Sequence, residues 1–545
     1  MNQPDSGLAA PSFSWKKHWK QIVFFAIPIL IFYCPPPEGL SLVAWRLFGW
    51  YVAAIFGLVA KPWSMPVVLL AAVTGSAIAV GFTPNEQGLD MKNVLSGYAS
   101  TTTWLVFTAF ALSTAFVVTG LGRRIAYLMI RSFGSTTLRL GYINTVLDLL
   151  ISPGMPSVTA RGGGIMMPIM NSVAGAIGSD PEKSPKRGGL FLLLNTYFTV
   201  KNTGYIFLTA MAPNALALSL ILPILHVEVS WMQWFLAAAV PGLLITFLTP
   251  LVLYLMYKPE VTKVDREEIA VKGLQEMGPM KRSEKWLLAI FICALLGWIT
   301  GDFTGIDAAA VALAAMVGCI IVSVINWDHI LQNKGGWNTL IWYGGIIGLS
   351  SALSKADFFK WMAGVFSDVL GGGQLQGGYG MLVLILFISV VIRYCFASGG
   401  AYIAAMMPVF ATIGAVTHVD PVLLTFGLLF SNAYGGMLTH YGSGPAPIIF
   451  GTGYATTKQW WTAGAVIGFG SLAVPLMALA ATVPQAAAIM MPLLMTTVMQ
   501  LVPANGRGKV MGNISMVISM APAVGPTLSG IILQLGSWRL IFGVV

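Results

Sequence analysis

Charge is the scarcest property of this 545-residue chain. Only 9% of its residues are Asp, Glu, Lys or Arg, whereas about 25% is usual in a soluble domain. Hydrophobic residues make up 56% of the chain, and a water-soluble protein of this length cannot hide so much apolar surface. The composition therefore excludes a soluble enzyme, a disordered tail and a nucleic-acid-binding protein, and it predicts a polytopic integral membrane protein.

Cysteine and histidine are also scarce. The four cysteines and five histidines show neither the spacing of a disulfide framework nor that of a metal site. The sequence has no nucleotide-binding loop and no constellation of nucleophile and base. We therefore predict no catalytic residues, no metal, no cofactor and no enzymatic activity.

The basic residues give the chain a net charge of +10, but they lie between apolar runs and form no tract for a phosphate backbone. This distribution is typical of cytoplasmic loops in membrane proteins. Lys16, Lys17 and Lys20 precede the first apolar run, and no cleavage site follows them. We expect an inner-membrane protein with a cytoplasmic N-terminus, the lipid bilayer as a partner and no nucleic-acid partner.

Apolar runs long enough to approach or span a hydrocarbon layer of roughly 30 Å recur along most of the chain. The hydrophilic interval 258–285 separates them into two sets and is interpreted as a linker loop. Tryptophans near run ends are typical of interface anchors; they include Trp231, Trp234, Trp460 and Trp461. The predicted divisions are a cytoplasmic N-terminus (1–20), a first half (21–257), the linker (258–285), a second half (286–484) and a tail (485–545).

Short segments repeat across the linker in the same order, at offsets of 232 to 240 residues. They are Leu112–Ala115 with Leu349–Ala352, Ile165–Ile169 with Ala405–Val409, and Thr209–Ala215 with Tyr441–Ala446. Internal repeats of this kind are typical of secondary transporters, whose binding sites lie at broken helices near the membrane midplane.

Two segments have the composition of such breaks. Ser152–Gly164 contains two prolines and four glycines, and Phe396–Ile403 contains paired glycines and small residues. Proline removes a backbone donor and glycine relaxes the backbone, so a helix is expected to stop and restart at each. The restarting helix points free N–H groups at the gap, which favours an anion.

At these residues the sequence resembles the divalent anion:sodium symporter family, and within it the citrate, succinate and tartrate exchanger branch. The stretches that carry the resemblance are Gly97–Phe107, Gly120–Ala126, Pro156–Gly163, Ala212–Asn214, Trp231–Phe235, Tyr257–Glu260, Trp337–Leu340, Leu438–Thr439 and Gly451–Tyr454. The resemblance implies an all-α polytopic fold with two inverted repeats, each with a re-entrant hairpin and a broken helix. It also implies elevator-type transport of di- or tricarboxylates such as succinate, malate, tartrate or citrate, by a homodimer.

In that family a Ser-Asn-Thr-type motif at each hairpin tip contacts the substrate and frames a sodium site. The matching residues here are Ser157, Val158 and Thr159 in the first half, and Ala401, Tyr402 and Ile403 in the second. The lost polar side chains, together with Ala210 in place of a glycine, weaken the case for a sodium site near Pro153, Ser157 and Ala210. The further predicted substrate-binding residues are Asn202, Thr203, Asn214, Ser398, Gly400, Tyr402, Thr439 and Ser443.

Two cations inside apolar runs accompany these changes. A charge at the middle of a membrane helix costs roughly 2.5–3.5 kcal/mol on insertion scales and usually faces a cavity or a partner. We hypothesise that Lys201 or Arg393 supplies the positive charge that sodium supplies in the symporters. The alternative is a structural pairing, for example with Asp148, or a side chain that reaches the interface. Arg161 is expected to hold the hairpin or to meet a cytoplasmic carboxylate.

Three other functions stay open at this point. The chain could be a sodium-coupled symporter, or a membrane sensor or scaffold that binds an anion without moving it. The third is drug efflux, because Pro503–Gly512 and Gly525–Gly530 resemble motifs of major facilitator drug:proton antiporters. That fragment is too short for a transport path, so we interpret the tail as a fusion or an artefact.

Overall fold

The computed structural model describes residues 15–84, 86–369, 378–396 and 398–480. Within these ranges the chain is helical and has no β-strand, apart from one isolated bridge between Thr136 and Lys263. The predicted tail (485–545) lies outside the described residues.

Eleven α-helices precede the charged interval at 258–285. They are α1 (Trp15–Tyr33), α2 (Leu42–Ala60), α3 (Met65–Phe82), α4 (Met91–Leu95), α5 (Thr101–Thr119), α6 (Leu121–Phe133), α7 (Thr137–Ile151), α8 (Met167–Ala176), α9 (Gly189–Thr203), α10 (Ala212–Leu225) and α11 (Trp231–Met256). A π-helical segment, Ala160–Met166, leads into α8, and short 3₁₀ turns occur at Ser96–Tyr98, Ser152–Gly154, Pro185–Arg187 and Leu208–Ala210.

The remaining described helices begin inside that interval. They are α12 (Arg266–Met277), α13 (Arg282–Ile299), α14 (Gly301–Thr304), α15 (Ala308–Ile321), α16 (Trp327–Leu331), α17 (Lys334–Lys355), α18 (Phe358–Val369), α19 (Tyr379–Arg393), α20 (Gly399–Val416), α21 (Pro421–Tyr434), α22 (Pro445–Phe450) and α23 (Thr457–Ala480).

Several of these helices have the length and composition of membrane spans. Five helical stretches in the described ranges are long and apolar enough to cross a bilayer: Leu42–Ala60, Met65–Phe82, Met91–Thr119, Trp231–Met256 and Gly399–Val416. A helix satisfies its own backbone groups, which is why it can span a hydrocarbon layer. The predicted all-α membrane fold is confirmed.

The chain packs as two compact units. The first comprises Met1–Ala99 and Ile341–Trp361. Within it, the backbone of Gly97 lies directly against α17, because a Cβ at that position would overlap the carbonyl oxygen of Gly344 and the amide of Gly348. Only glycine permits so close an approach of two backbones, which is a common device between membrane helices.

The second unit comprises Ser100–Leu340 and Met362–Val545, and its described part contains all four helix breaks. In the first half, α7 stops before the π-helical segment and α9 stops before α10. In the second half, α19 stops before α20 and α21 stops before α22. Residues 188–225 and 379–417 thus each form two helices. The two predicted breaks, at 152–164 and 396–403, both lie between helices.

The restarting helices of one half pack against those of the other. The π-helical segment lies against α22, where a Cβ at Gly163 would be 3.0 Å from Ile448. Likewise, α20 of the second half packs on α10 of the first. Residues far apart in sequence therefore meet at the breaks.

Three of the four tryptophans predicted to be interface anchors are instead buried. The ring of Trp231 stacks on Trp298 with centroids 5.8 Å apart, and Trp234 Nε1 donates to the carbonyl of Tyr205 at 2.8 Å. Trp460 is also buried, whereas Trp461 is 40% exposed. The prediction is wrong for these three because aromatic packing, not the end of an apolar run, decides their position.

Candidate functional site

Buried charge is the most informative feature of the second unit. Six charged residues are buried in the described part of the chain, and four of them form two ion pairs. The pairs are Arg124 with Glu284 at 2.8 Å and Arg161 with Asp148 at 2.7 Å. The other two, Lys201 and Arg393, have no carboxylate partner among the described residues.

Arg161 holds the first hairpin together. Its Nε donates to Asp148, and Nη1 donates to the carbonyl oxygens of Met155 and Ala210, both at 2.8 Å. Its Nη2 donates to the carbonyl of Val200 and to the Thr203 hydroxyl, both at 3.2 Å. Each guanidinium nitrogen is therefore used within the protein, and the charge is neutralised by Asp148. Of the two roles expected for Arg161, this contact set matches the one in the hairpin.

Arg393 ends α19, just before the break in the second half, and its charge is not neutralised as that of Arg161 is. Its Nη1 donates to the carbonyl of Phe396 at 2.6 Å and its Nη2 to the carbonyl of Gly442 at 2.8 Å. By the sequence repeat, Gly442 corresponds to Ala210, a carbonyl partner of Arg161. Phe396, like Met155, lies in the break before the restarting helix. Arg393 Nε is buried without an acceptor, and the side chain is only 2% exposed.

Lys201 lies in the last turn of α9, beside the break before α10. The residue is 4% exposed, and its ammonium has no hydrogen-bond acceptor or carboxylate within the described ranges. The alternative pairing with Asp148 is not found, because the oxygens of Asp148 are taken by Arg161 and Thr203. Tyr197, one turn before Lys201 on the same face of α9, bonds the carbonyl of Gly436, and Arg393 Nη2 lies 3.5 Å from the position that a Cβ on Gly436 would take. Both unpaired cations are therefore on this side of α9, and a buried region of positive charge is left uncompensated.

Hydroxyl groups surround this charged region. Tyr197 stands one helical turn before Lys201 on the same face of α9, and its hydroxyl donates to the carbonyl of Gly436 at 2.9 Å and shares a hydrogen bond with Ser443 at 3.0 Å. The Thr439 hydroxyl is buried with no partner, and it lies beside Gly442. We call Tyr197, Lys201, Arg393, Thr439 and Ser443 the cation cluster.

The remaining predicted polar residues mainly satisfy the backbone and each other. Ser157 accepts from the amide of Ala160 at 3.1 Å, and Ser398 accepts from the amide of Ala401 at 3.4 Å at the start of α20. Thr203 bonds Asp148. These groups fix the ends of the restarting helices.

The two predicted asparagines join elements of the second unit. Asn202 donates to Thr249 at 2.8 Å and accepts from Ser471 at 3.1 Å. Asn214 donates across the break to the carbonyl of Gly204 at 2.8 Å. Its side-chain oxygen is buried without a partner.

The hairpin tips are less polar than the family pattern. Thr159 lies against Gly444, at which a Cβ would overlap the Thr159 hydroxyl. Val158 lies beside the break at Gly204. In the second half, Gly400, Ala401 and Tyr402 are buried; the Tyr402 hydroxyl donates to the carbonyl of Ser389 at 2.9 Å, and its ring lies 5.7 Å from the Arg393 guanidinium.

Sequence reasoning missed Tyr197 and misjudged Trp460. Their rings lie 4.5 Å apart between centroids, and the indole nitrogen of Trp460 is buried without an acceptor. A signal for Tyr197 was present, since it stands four residues before Lys201 and therefore on the same helix face.

No three His, Cys, Asp or Glu side chains of the described residues gather into a metal site. At the site implied for sodium, the carbonyl of Ala210 accepts from Arg161 and the Ser157 hydroxyl accepts from a backbone amide.

A profile of the family described as "Sodium:sulfate symporter transmembrane region" matches residues 15–486. The chain belongs to the divalent anion:sodium symporter family. Its relatives include an "Uncharacterized transporter" of Haemophilus influenzae, 57% identical over 84% of this chain and 96% of that protein. The inner membrane protein YbhI of Escherichia coli K12 is 53% identical over 83% of this chain and 94% of that protein.

A third relative of this family has a named transport activity. The citrate/succinate antiporter of Escherichia coli K12 is 32% identical over 83% of this chain and 94% of its own. Among solved structures, the YdaH transporter of Alcanivorax borkumensis matches with a TM-score of 0.50 and 12% identity, over 84% of this chain and 96% of that chain. That likeness supports the fold alone.

Proposed function

We propose that this chain is a secondary transporter that exchanges di- or tricarboxylate anions across the inner membrane. The observation that carries the proposal is the pair of buried cations, Lys201 and Arg393, that have no carboxylate partner among the described residues. Buried charge of one sign is costly unless something neutralises it. A carboxylate substrate would do so, and the relative named as a citrate/succinate antiporter favours that class.

The unpaired positive charge of Lys201 and Arg393 also favours exchange over one-way transport. A carrier without substrate would have to move its uncompensated cations through a low-dielectric layer, which is unfavourable. A carrier loaded with an anion would be closer to neutral. The return step is therefore expected to need a substrate from the opposite side.

The residues at the implied sodium site do not fit sodium. The carbonyl oxygens that could ligate a cation there, at Met155 and Ala210, already accept from the Arg161 guanidinium. In the second half, the carbonyls of Phe396 and Gly442 accept from Arg393. A sodium ion beside either guanidinium would be repelled, so the proposal includes no sodium coupling.

Labelled succinate uptake into proteoliposomes tests this function. The full chain would be reconstituted in vesicles that are empty or loaded with unlabelled succinate, with sodium or choline outside. We expect uptake only into loaded vesicles, at the same rate in both media, and none in vesicles without protein. Sodium-driven uptake into empty vesicles would instead indicate a symporter, and binding without flux would indicate a sensor.

Two further parts of the proposal concern assembly and orientation. We propose a cytoplasmic N-terminus, because Lys16, Lys17 and Lys20 lie in the first turns of α1, and a homodimer, because the family resemblance implies one. Light scattering of the purified protein in detergent would measure the mass. A fluorescent protein that folds only in the cytoplasm, fused to the N-terminus, would report the orientation. The relatives are transporters, and no enzymatic reaction is part of the proposal.

A further inference from the structure

The two cations of the cation cluster differ in how firmly their side chains are held. Arg393 is held before any substrate arrives, because two of its nitrogens donate to carbonyls and its guanidinium lies near the ring of Tyr402. Its Nε remains without an acceptor. Lys201 makes no hydrogen bond to a described residue and lies in the last turn of α9 beside a break, so its flexible side chain leaves the ammonium able to follow an incoming group.

The donors that lack an acceptor lie in one region. They are the Lys201 ammonium, Arg393 Nε and the Thr439 hydroxyl. Arg393 and Thr439 both lie at Gly442. Tyr197, one turn before Lys201 on the same face of α9, bonds the carbonyl of Gly436 and the Ser443 hydroxyl, and Arg393 Nη2 lies 3.5 Å from the position that a Cβ on Gly436 would take. Each group can donate to a carboxylate. The buried carboxylate of Asp148 does not serve as their acceptor, because it is paired with Arg161.

We propose that Lys201 is the residue by which this carrier selects the charge of its substrate. It pairs directly with one carboxylate of a dianion, while Arg393 supplies the fixed charge that the second carboxylate balances. A dianion neutralises both cations, whereas a monoanion leaves one buried and unpaired. Replacing Lys201 by a neutral side chain of similar length removes one positive charge and makes a monoanion the better match. This inference rests on the proposed carboxylate exchange.

The test compares succinate with succinamate, its monoamide, which has nearly the same shape and one charge fewer. Counterflow of each compound would be measured in proteoliposomes with the wild type, Lys201→Met, Lys201→Arg and Lys183→Met. Lys183 is an exposed loop lysine and serves as the matched control.

We expect the wild type to prefer succinate by about 100-fold or more, as removal of one partner from a buried charge pair usually costs. Lys201→Arg keeps the charge and should keep a preference for succinate, and Lys183→Met should behave as the wild type. In Lys201→Met we expect the preference to fall below about 10-fold, with succinamate uptake retained or increased. Equal preference for succinate in Lys201→Met and the wild type would overturn the inference.

A failure of the proposed function is recognised separately. If the wild type exchanges no carboxylate, the proposed function fails; if it exchanges both compounds equally well, only the charge selection fails. If Lys201→Met shows no transport, the melting temperature of the purified variant in detergent shows whether it is folded and whether it binds either compound. Removal of an unpaired buried cation should leave the protein at least as stable, and succinamate should raise the melting temperature as much as succinate. A variant that does not fold, or that binds neither compound, contradicts the inference.

Discussion

Arg161→Gln is the substitution whose effect the structure defines most sharply. The arginine is fully buried and donates to the Asp148 carboxylate, to a hydroxyl and to the carbonyls of Met155, Ala210 and Val200. Glutamine is too short and has too few donors to replace these bonds. The variant therefore leaves a buried carboxylate without a counter-ion at the place where the first hairpin meets its neighbours.

The magnitude follows from this contact set. Removing one partner of a buried ion pair costs about 3–5 kcal/mol, and each buried carbonyl left without a donor adds about 1 kcal/mol or more. With roughly 2 °C lost per kcal/mol for a large domain, the melting temperature should fall by roughly 8 °C or more. Arg139→Gln is the matched control, because Arg139 is exposed, and it should stay within about 0.5 kcal/mol of the wild type.

A double-mutant cycle decides whether the ion pair causes the loss. Asp148→Asn in the Arg161→Gln background removes the unpaired charge, so the double variant should be more stable than the two single losses predict by about 2–3 kcal/mol. Thermal unfolding in detergent, followed by tryptophan fluorescence, would measure all four proteins. Additive losses, or an Arg161→Gln variant as stable as the control, would refute the reasoning.

Three further variants test the breaks and the cation cluster. Gly442→Ala should abolish exchange, because its Cβ would lie 2.7 Å from the carbonyl oxygen of Gly436, whereas Gly164→Ala faces open space and should exchange normally in the same proteoliposome assay. Thr439→Val removes a hydroxyl that has no partner in the protein, so KM for succinate should rise about tenfold with no loss of melting temperature; a lower melting temperature with unchanged KM would assign it a structural role. Asn202→Leu breaks bonds to two other helices and should lower the melting temperature by about 2–4 °C for a loss of 1–2 kcal/mol, and unchanged stability would contradict this.

The helix breaks show how much of the fold can be predicted from local sequence. Proline and glycine act on the backbone where they stand, so the segments at 152–164 and 396–403 could be recognised before any packing was known. The ends of the helices are harder to predict. Residues 188–225 form one mainly apolar stretch in the sequence, and only the structure separates α9 from α10 at 204–211.

The buried arginines show the opposite case. Lys201 and Arg393 stand out in the sequence as cations inside apolar runs, and the sequence offers Asp148 as a structural partner for either of them. The structure gives that carboxylate to Arg161, because the hairpin folds back over the end of α9.

The sequence by itself determined that the chain is a helical membrane protein of two related halves with broken helices. Hydropathy, proline and glycine act locally, and the repeat is visible as matching short segments in the two halves. Only the tertiary structure decided which cations are neutralised. Arg161 and Lys201 are equally charged in sequence, and Tyr197 and Trp460 are ordinary aromatic residues there. Whether a charge has a counter-ion depends on which distant segment packs beside it, and that is set by the three-dimensional contact between the breaks of the two halves.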